Sequence, residues 1–177
     1  MNSDFSAARA RLDAAEAKRE EVLLRHIANG VMIESRTVEI DESVVIAPGA
    51  KILSGTILRG RTVIGENCEI GPNTMIRDCV LGDGCIANAS QLNEARFGND
   101  VNIGPFAYVR PGSVVADGCK VGDFVELKNS TIGNGTKISH LTYVGDTDLG
   151  ERINLGCGTV TVNYDGKSKY RCTVEDD

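Results

Sequence analysis

The stretch Lys51–Ile76, "KILSGTILRGRTVIGENCEIGPNTMI", places an aliphatic residue at every sixth position: Ile52, Leu58, Ile64, Ile70 and Ile76. A helix repeats its apolar face every 3.6 residues and a half-buried strand every 2, so neither explains a period of six. A coil of six-residue units does. Each unit makes one short strand and one turn, and three units close a triangular turn of about 18 residues. Residues one turn apart then stack at the strand spacing of about 4.8 Å.

The series extends both ways. Ile40 and Ile46 precede it, and Leu81 follows after a five-residue step. Ala87 to Asn93 reads as irregular. The series resumes at Phe97 and runs through Ile103, Val109, Val115, Val121 and Leu127; five-residue steps then lead to Ile132 and, past Ile138 and Val144, to Leu149 and Leu155. About eight turns are expected, with the short steps at tightened corners near Leu81, Phe97, Ile132 and Leu149. Asn67, Asn73, Gly84, Asp100, Gly118 and Gly135 recur just beyond the aliphatic positions, and these residue types tolerate the positive φ of tight corners.

The six cysteines form no C-x-x-C pair. Cys68, Cys79, Cys119 and Cys172 lie two residues before an aliphatic position, and Cys85 does so if Ala87 fills the next slot. Strand alternation turns that position inward, so these five read as small core residues. Cys157, in "LGCGT", is out of phase and reads as a semi-exposed thiol with no base beside it in the sequence.

Residues Asp4 to Ala28 are rich in Ala, Arg and Glu and lack Pro and Gly, which favours a helix. Ser3 or Asp4 is expected to cap its start and Asn29-Gly30 to stop it. Its stripe of Leu12, Ala15, Arg19, Val22, Leu23, His26 and Ile27 is weak, so the helix needs a neighbour, with His26 expected on the surface. The chain thus divides into a helical linker over 1–30 and a coil over 31–177.

The net charge of −6 disfavours general nucleic-acid or membrane-surface binding. The N-terminus has no apolar signal core and no segment is long enough to span a bilayer, so a cytoplasmic protein is expected.

The hexads alone fit many acyltransferases and also inert structural coils. Four segments carry a more specific signal: "GPFAYVRPGS", "FVELKNSTIG", "KISHLTYVGD" and "CGTVTVNYDGKSKYR". In this order and spacing they resemble the C-terminal acetyltransferase domain of the bacterial bifunctional N-acetylglucosamine-1-phosphate uridyltransferase/glucosamine-1-phosphate acetyltransferases. The resemblance implies an all-β fold, a left-handed parallel β-helix preceded by one α-helix, assembled as a homotrimer with sites between subunits. It implies transfer of acetyl from the co-substrate acetyl-CoA to the amine of glucosamine-1-phosphate, toward UDP-N-acetylglucosamine. The family's other activity uses UTP and magnesium in a nucleotide-binding domain expected outside this chain. The family continues past "TVEDD", so the coil is expected to be truncated at its C-terminus, and an inactive trimeric fragment or another hexapeptide sugar acyltransferase stays open. No metal is expected: a zinc carbonic anhydrase on this repeat needs three histidines, and the coil has one.

By the same resemblance, His140 is the general base. Its chemistry suits the task, because an amine attacks a thioester only when unprotonated and imidazole titrates near neutral pH. Arg110 and Lys128 resemble sugar-phosphate ligands; 18 residues apart, they should lie on neighbouring turns. Tyr143 and Asn154 match positions contacting the sugar phosphate and the sugar. "NYDGKSK" breaks the hexad around the turn signal Asp165-Gly166, and within it Asn163 and Tyr164 match acetyl-CoA contacts. Lys169 matches a residue that reaches the sugar phosphate from a neighbouring subunit. Lys167, Lys169 and Arg171 read as a local basic patch.

Overall fold

A computed structural model describes residues 2–176, with side chains from Phe5 onward. One helix, α1 (Asn2–Ala28), is followed by short strands of two to four residues that form three parallel sheets. The first face runs from Met32–Ile33 to Asn154–Leu155, the second from Glu39–Ile40 to Tyr143–Gly145, and the third from Val45–Ile46 to Cys172–Val174. They hold eight, seven and eight strands, so the chain winds between seven and eight turns. The coil is left-handed, against the usual right-handed crossover.

The hexads set the register. Ile52 lies on Ile70, Leu58 on Ile76 and Leu127 on Val144, all with no exposed surface. The segment read as irregular is regular after all: Ala87 fills the first-face slot between Ile70 and Ile103, and Leu92 the second-face slot between Ile76 and Val109. Two consecutive five-residue steps and an alanine in an aliphatic slot hid the pattern. The second of these steps and the other three fall at the corner between second and third faces, where Asp78, Glu94, Asn129 and Asp146 take positive φ.

Two residues before each aliphatic, a second inward position takes small side chains. Cys68, Cys79, Cys85 and Cys119 occupy it fully buried, and burial pushes the Cys79 thiol up to about 11. Cys172, in the last strand of the third face, is only half-buried. Two of the buried hydroxyls there reach the next turn: Thr136 donates to the Gly150 carbonyl at 2.8 Å and Ser130 to that of Val144 at 3.3 Å, whereas Ser113 Oγ has no partner among the described residues. At the third-to-first corner the amide of each turn donates to a side chain of the next. Glu66 donates to Asp83 (2.8 Å), Asp83 to Asn99 (2.8 Å) and Asn99 to Asp117 (2.7 Å).

Helix α1 covers the open end of the coil, against the first strands of the first and second faces. An exposed strand edge invites unwanted pairing, and a covering helix removes it. Val22 and Leu23 are buried, Lys18 pairs with Glu42 at 3.1 Å, and Gly30, at φ +86°, stops the helix. The caps expected at Ser3 or Asp4 fall on side chains outside those described. His26 is buried at 5% exposure, contrary to the surface position expected from sequence. It lies one helical turn beyond Val22 and Leu23 and so faces the coil with them. Its Nε2 has no hydrogen-bond partner among the described residues, and burial, with Arg25 adding to it, lowers its pKa.

A buried histidine with a lowered pKa stabilises the fold fully above its unfolded value of about 6.5. That contribution is lost as pH falls through 6.5 toward the lower folded value. Thermal midpoints at pH 7.5 and 5.5 should therefore drop less in His26→Gln than in the wild type. An equal drop in both chains contradicts this account of helix docking.

Candidate functional site

His140 ends the strand Lys137–His140, at the corner between first and second faces, and is exposed. One turn below, Asp123 is its register partner. The carboxylate Oδ1 of Asp123 lies 2.8 Å from Nδ1 of His140. This bond is the main cause of the lowered Asp123 pKa, so the carboxylate is charged and accepts the Nδ1 proton. The imidazole is thereby fixed as the tautomer whose Nε2 is the acceptor. Asp123 escaped sequence reasoning; the available signal was its 17-residue distance from His140, one turn of coil.

A second cluster lies at the other edge of the second face. Val109 stacks on Leu127, so Arg110 and Lys128 follow on neighbouring turns, as their spacing predicts. Arg110 donates to Glu126 Oε1 at 2.8 Å, and Lys128 to Asp146 Oδ2 at 2.7 Å. Tyr143 begins the next strand, and its phenol lies near both cations. Gly145 makes room for it: a Cβ there would sit 2.3 Å from the Tyr143 hydroxyl.

Asp146 is the hub of this cluster and was also missed. It is 8% exposed and accepts from Lys128, from Asn129 Nδ2 at 2.7 Å, and from Asn163 Nδ2. Lys128 and then Asn129 hold its carboxyl down at about 2. The non-hexad loop is anchored here. Thr161 Oγ1 accepts from Gly145 N at 2.8 Å as the chain leaves the coil, and Cys172 N donates to the Asp146 carbonyl at 3.0 Å as it returns. Between them the loop protrudes as its broken hexad predicts. Asp165 accepts from the amides of Lys167 (2.8 Å) and Ser168 (2.7 Å), and Tyr164 bridges Lys169.

The structure therefore gathers Arg110, Lys128, Tyr143 and Asn163 at one corner, and the Lys169 side chain comes up beside Lys128 of the same chain. Asn154 stands apart, stacked on Lys137 in the first face, and the Tyr164 side chain is exposed in the loop. Arg171 does not join a free basic patch: it is spent on both carboxylate oxygens of Asp148 and on the Asn129 carbonyl. Among the described residues no cluster of three or more His, Cys, Asp or Glu could hold a metal ion. No described helix is long and apolar enough to cross a membrane.

Comparison with known proteins agrees with this architecture. The bacterial transferase hexapeptide pattern (six repeats) matches residues 43–78 and 94–129. The bifunctional protein GlmU of Geobacillus sp. (strain WCH70) is 46% identical over 165 residues, covering 93% of this chain and 36% of that protein. The GlmU of Carboxydothermus hydrogenoformans is 49% identical over 145 residues, covering 82% of this chain and 32% of that protein. The chain thus spans about a third of the length of these relatives. Among solved structures, the acetyltransferase domain of PglB from Neisseria gonorrhoeae in complex with acetyl coenzyme A aligns with a TM-score of 0.56 at 17% identity, over 70% of this chain and 63% of that one. That likeness shows the shared coil. The family resemblance read from the four motifs holds across nearly the whole chain.

The Asp146 hub yields a direct test. Asp146→Ala strands the half-buried Lys128 ammonium and frees the loop, and should cost about 2–4 kcal/mol of stability by denaturant titration. It should also speed proteolysis within 162–171. Glu69→Gln, at the exposed pair with Lys51, should cost no more than about 0.5 kcal/mol. Equal costs would remove Asp146 from its central place.

Proposed function

We propose that this chain, a hexapeptide coil related to a third-length segment of the bifunctional GlmU proteins, is an acetyltransferase domain that moves acetyl from acetyl-CoA to the amine of glucosamine-1-phosphate. The product, N-acetylglucosamine-1-phosphate, feeds UDP-N-acetylglucosamine synthesis, a cytoplasmic supply for cell-wall precursors. The relatives' bifunctional name points to a second activity; a magnesium-dependent uridyltransferase step is not assigned to the residues of this chain. The observation that carries the reading is the Asp123–His140 pair at the corner where the first face meets the second, with the Arg110–Lys128–Tyr143 cluster at the second face's other edge.

The division of labour follows from the chemistry. The sugar phosphate is dianionic, and Arg110 uses one guanidinium nitrogen on Glu126, leaving other donors for phosphate oxygens. Lys128 donates one of its three N–H groups to Asp146, which leaves two. Along the second face, His140 and the position above Lys128 are separated by no more than about 17 Å of extended backbone. Long cationic side chains on one edge and the imidazole on the other narrow that span toward the size of an amino sugar phosphate. The amine nitrogen attacks the thioester carbonyl carbon, the carbon–sulfur bond breaks, and the CoA thiolate leaves. His140 Nε2 takes the proton the amine loses and returns one to the thiolate, while Asp123 steadies the imidazolium.

Support for acetyl-CoA comes from the PglB neighbour, which was solved with it. In this reading Asn163 and Tyr164 approach the cofactor, and Asn154 the sugar. Asn154 and Tyr164 stand away from the Arg110 corner of their own chain, which suits a homotrimer whose sites draw on adjacent copies. An exposed apolar ridge suits it as well. Phe106, Phe124 and Leu141 stack at the corner beside His140, all at positive φ, with the two phenyl rings 5.4 Å apart. Bulky residues seldom hold that conformation in water without a packing partner.

Release of CoA thiol from acetyl-CoA should depend on glucosamine-1-phosphate. His140→Ala should slow it about 100- to 10,000-fold while sugar-phosphate binding survives. Arg110→Ala and Lys128→Ala should instead weaken that binding. A His140→Ala chain of unchanged rate would refute the assignment.

A further inference from the structure

Cys157 is the one exposed cysteine of the six. In sequence it has no base near it; the register of the coil brings one to the neighbouring turn. Ile138 pairs with Leu155, and Tyr143 bridges Val160, so the register between these turns is 17 residues on both sides of His140. The amide of Gly158 donates to the Leu141 carbonyl at 3.1 Å, which holds that register across the corner. The register therefore puts Cys157 at the position one strand spacing above His140, as Asp123 holds the position below it, with no hydrogen bond joining Sγ to Nε2 among the described residues. The column reads carboxylate, imidazole, thiol on three successive turns.

This order is that of an orienting acid, a base and a nucleophile. Asp123 occupies Nδ1, and Nε2 has no partner among the described residues. The surroundings are open: a Cβ placed on Gly156 or on Gly158 would meet nothing within 4 Å. The other cysteines lack both features, since four are buried and Cys172 is half-covered.

We propose that Cys157 is the reactive thiol of this chain, a modification site for small disulfides, with His140 as its base. His140 takes the thiol proton at Nε2. The Cys157 thiolate attacks one sulfur of the incoming disulfide, the old sulfur–sulfur bond breaks, and the other half leaves as a thiolate that recovers the proton. The mixed disulfide lies over His140. Where the acetyl-transfer reading holds, it blocks transfer reversibly until a thiol reduces it. Disulfides of CoA and of glutathione share this chemistry, and the site's own co-substrate favours the former.

The test treats the native chain with CoA disulfide or with oxidised glutathione at pH 7 and follows adducts by peptide mass spectrometry. One adduct per chain should appear first on the Cys157 peptide, and Cys157→Ala should form none at that rate. His140→Asn should slow it about tenfold or more, and Asp123→Asn should slow it less. Circular dichroism establishes that each variant is folded. The faster of the two disulfides names the source. An adduct arising first on another cysteine, or an unchanged rate in folded His140→Asn, overturns the proposal. Because the readout is mass, it is independent of whether the chain transfers acetyl groups.

Discussion

Backbone hydrogen bonds between successive turns carry everything else in this molecule. Lys137 N donates to the Ile153 carbonyl at 2.7 Å, Asp146 N to that of Lys128 at 2.8 Å, and Arg110 N to that of Leu127 at 2.9 Å. Each bond locks one turn onto the next, and a slip of one residue would turn the inward aliphatics outward. Residues 16 to 18 positions apart become neighbours this way, as Ala87 is to Ile103 and Ile40 to Leu58. A chain with few aromatics and no tryptophan gains a continuous core of Ile, Leu and Val in the process.

The functional groups are consequences of the same register. Asp123 reaches His140, Lys128 reaches Asp146, and Arg110 follows Lys128 because the turns keep step. Asp146 ties this order to the one place where the chain abandons it. By holding Lys128, Asn129 and Asn163 together, it fixes the root of the protruding loop to the corner that carries the cations. The coil supplies rigid positions, and the loop adds the residues that a six-residue repeat cannot present.

The architecture was legible because hexads leave a plain mark in the sequence: outside Ala87 to Asn93, the aliphatic slots, the expected corner residues at positive φ and the shortened steps lie where the spacing places them. What escaped was geometry between turns. Asp123 and Asp146 look like ordinary polar corner residues until the turn length is known to a single residue. Five-residue steps make that length vary, as Ala87 and Leu92 show. His26 was misread because its burial depends on how the helix lies against the coil, which a weak apolar stripe does not specify. Arg171 looked like a free cation because its partner, Asp148, is 23 residues away across the loop.

The central claim is that one second-face surface holds a sugar phosphate between its cationic edge and its imidazole edge. A crystal structure of the chain with glucosamine-1-phosphate tests it most directly. The account places the phosphate on Arg110 and Lys128 and turns the amine toward Nε2 of His140. A sugar phosphate bound elsewhere, or one whose amine points away from His140, contradicts it.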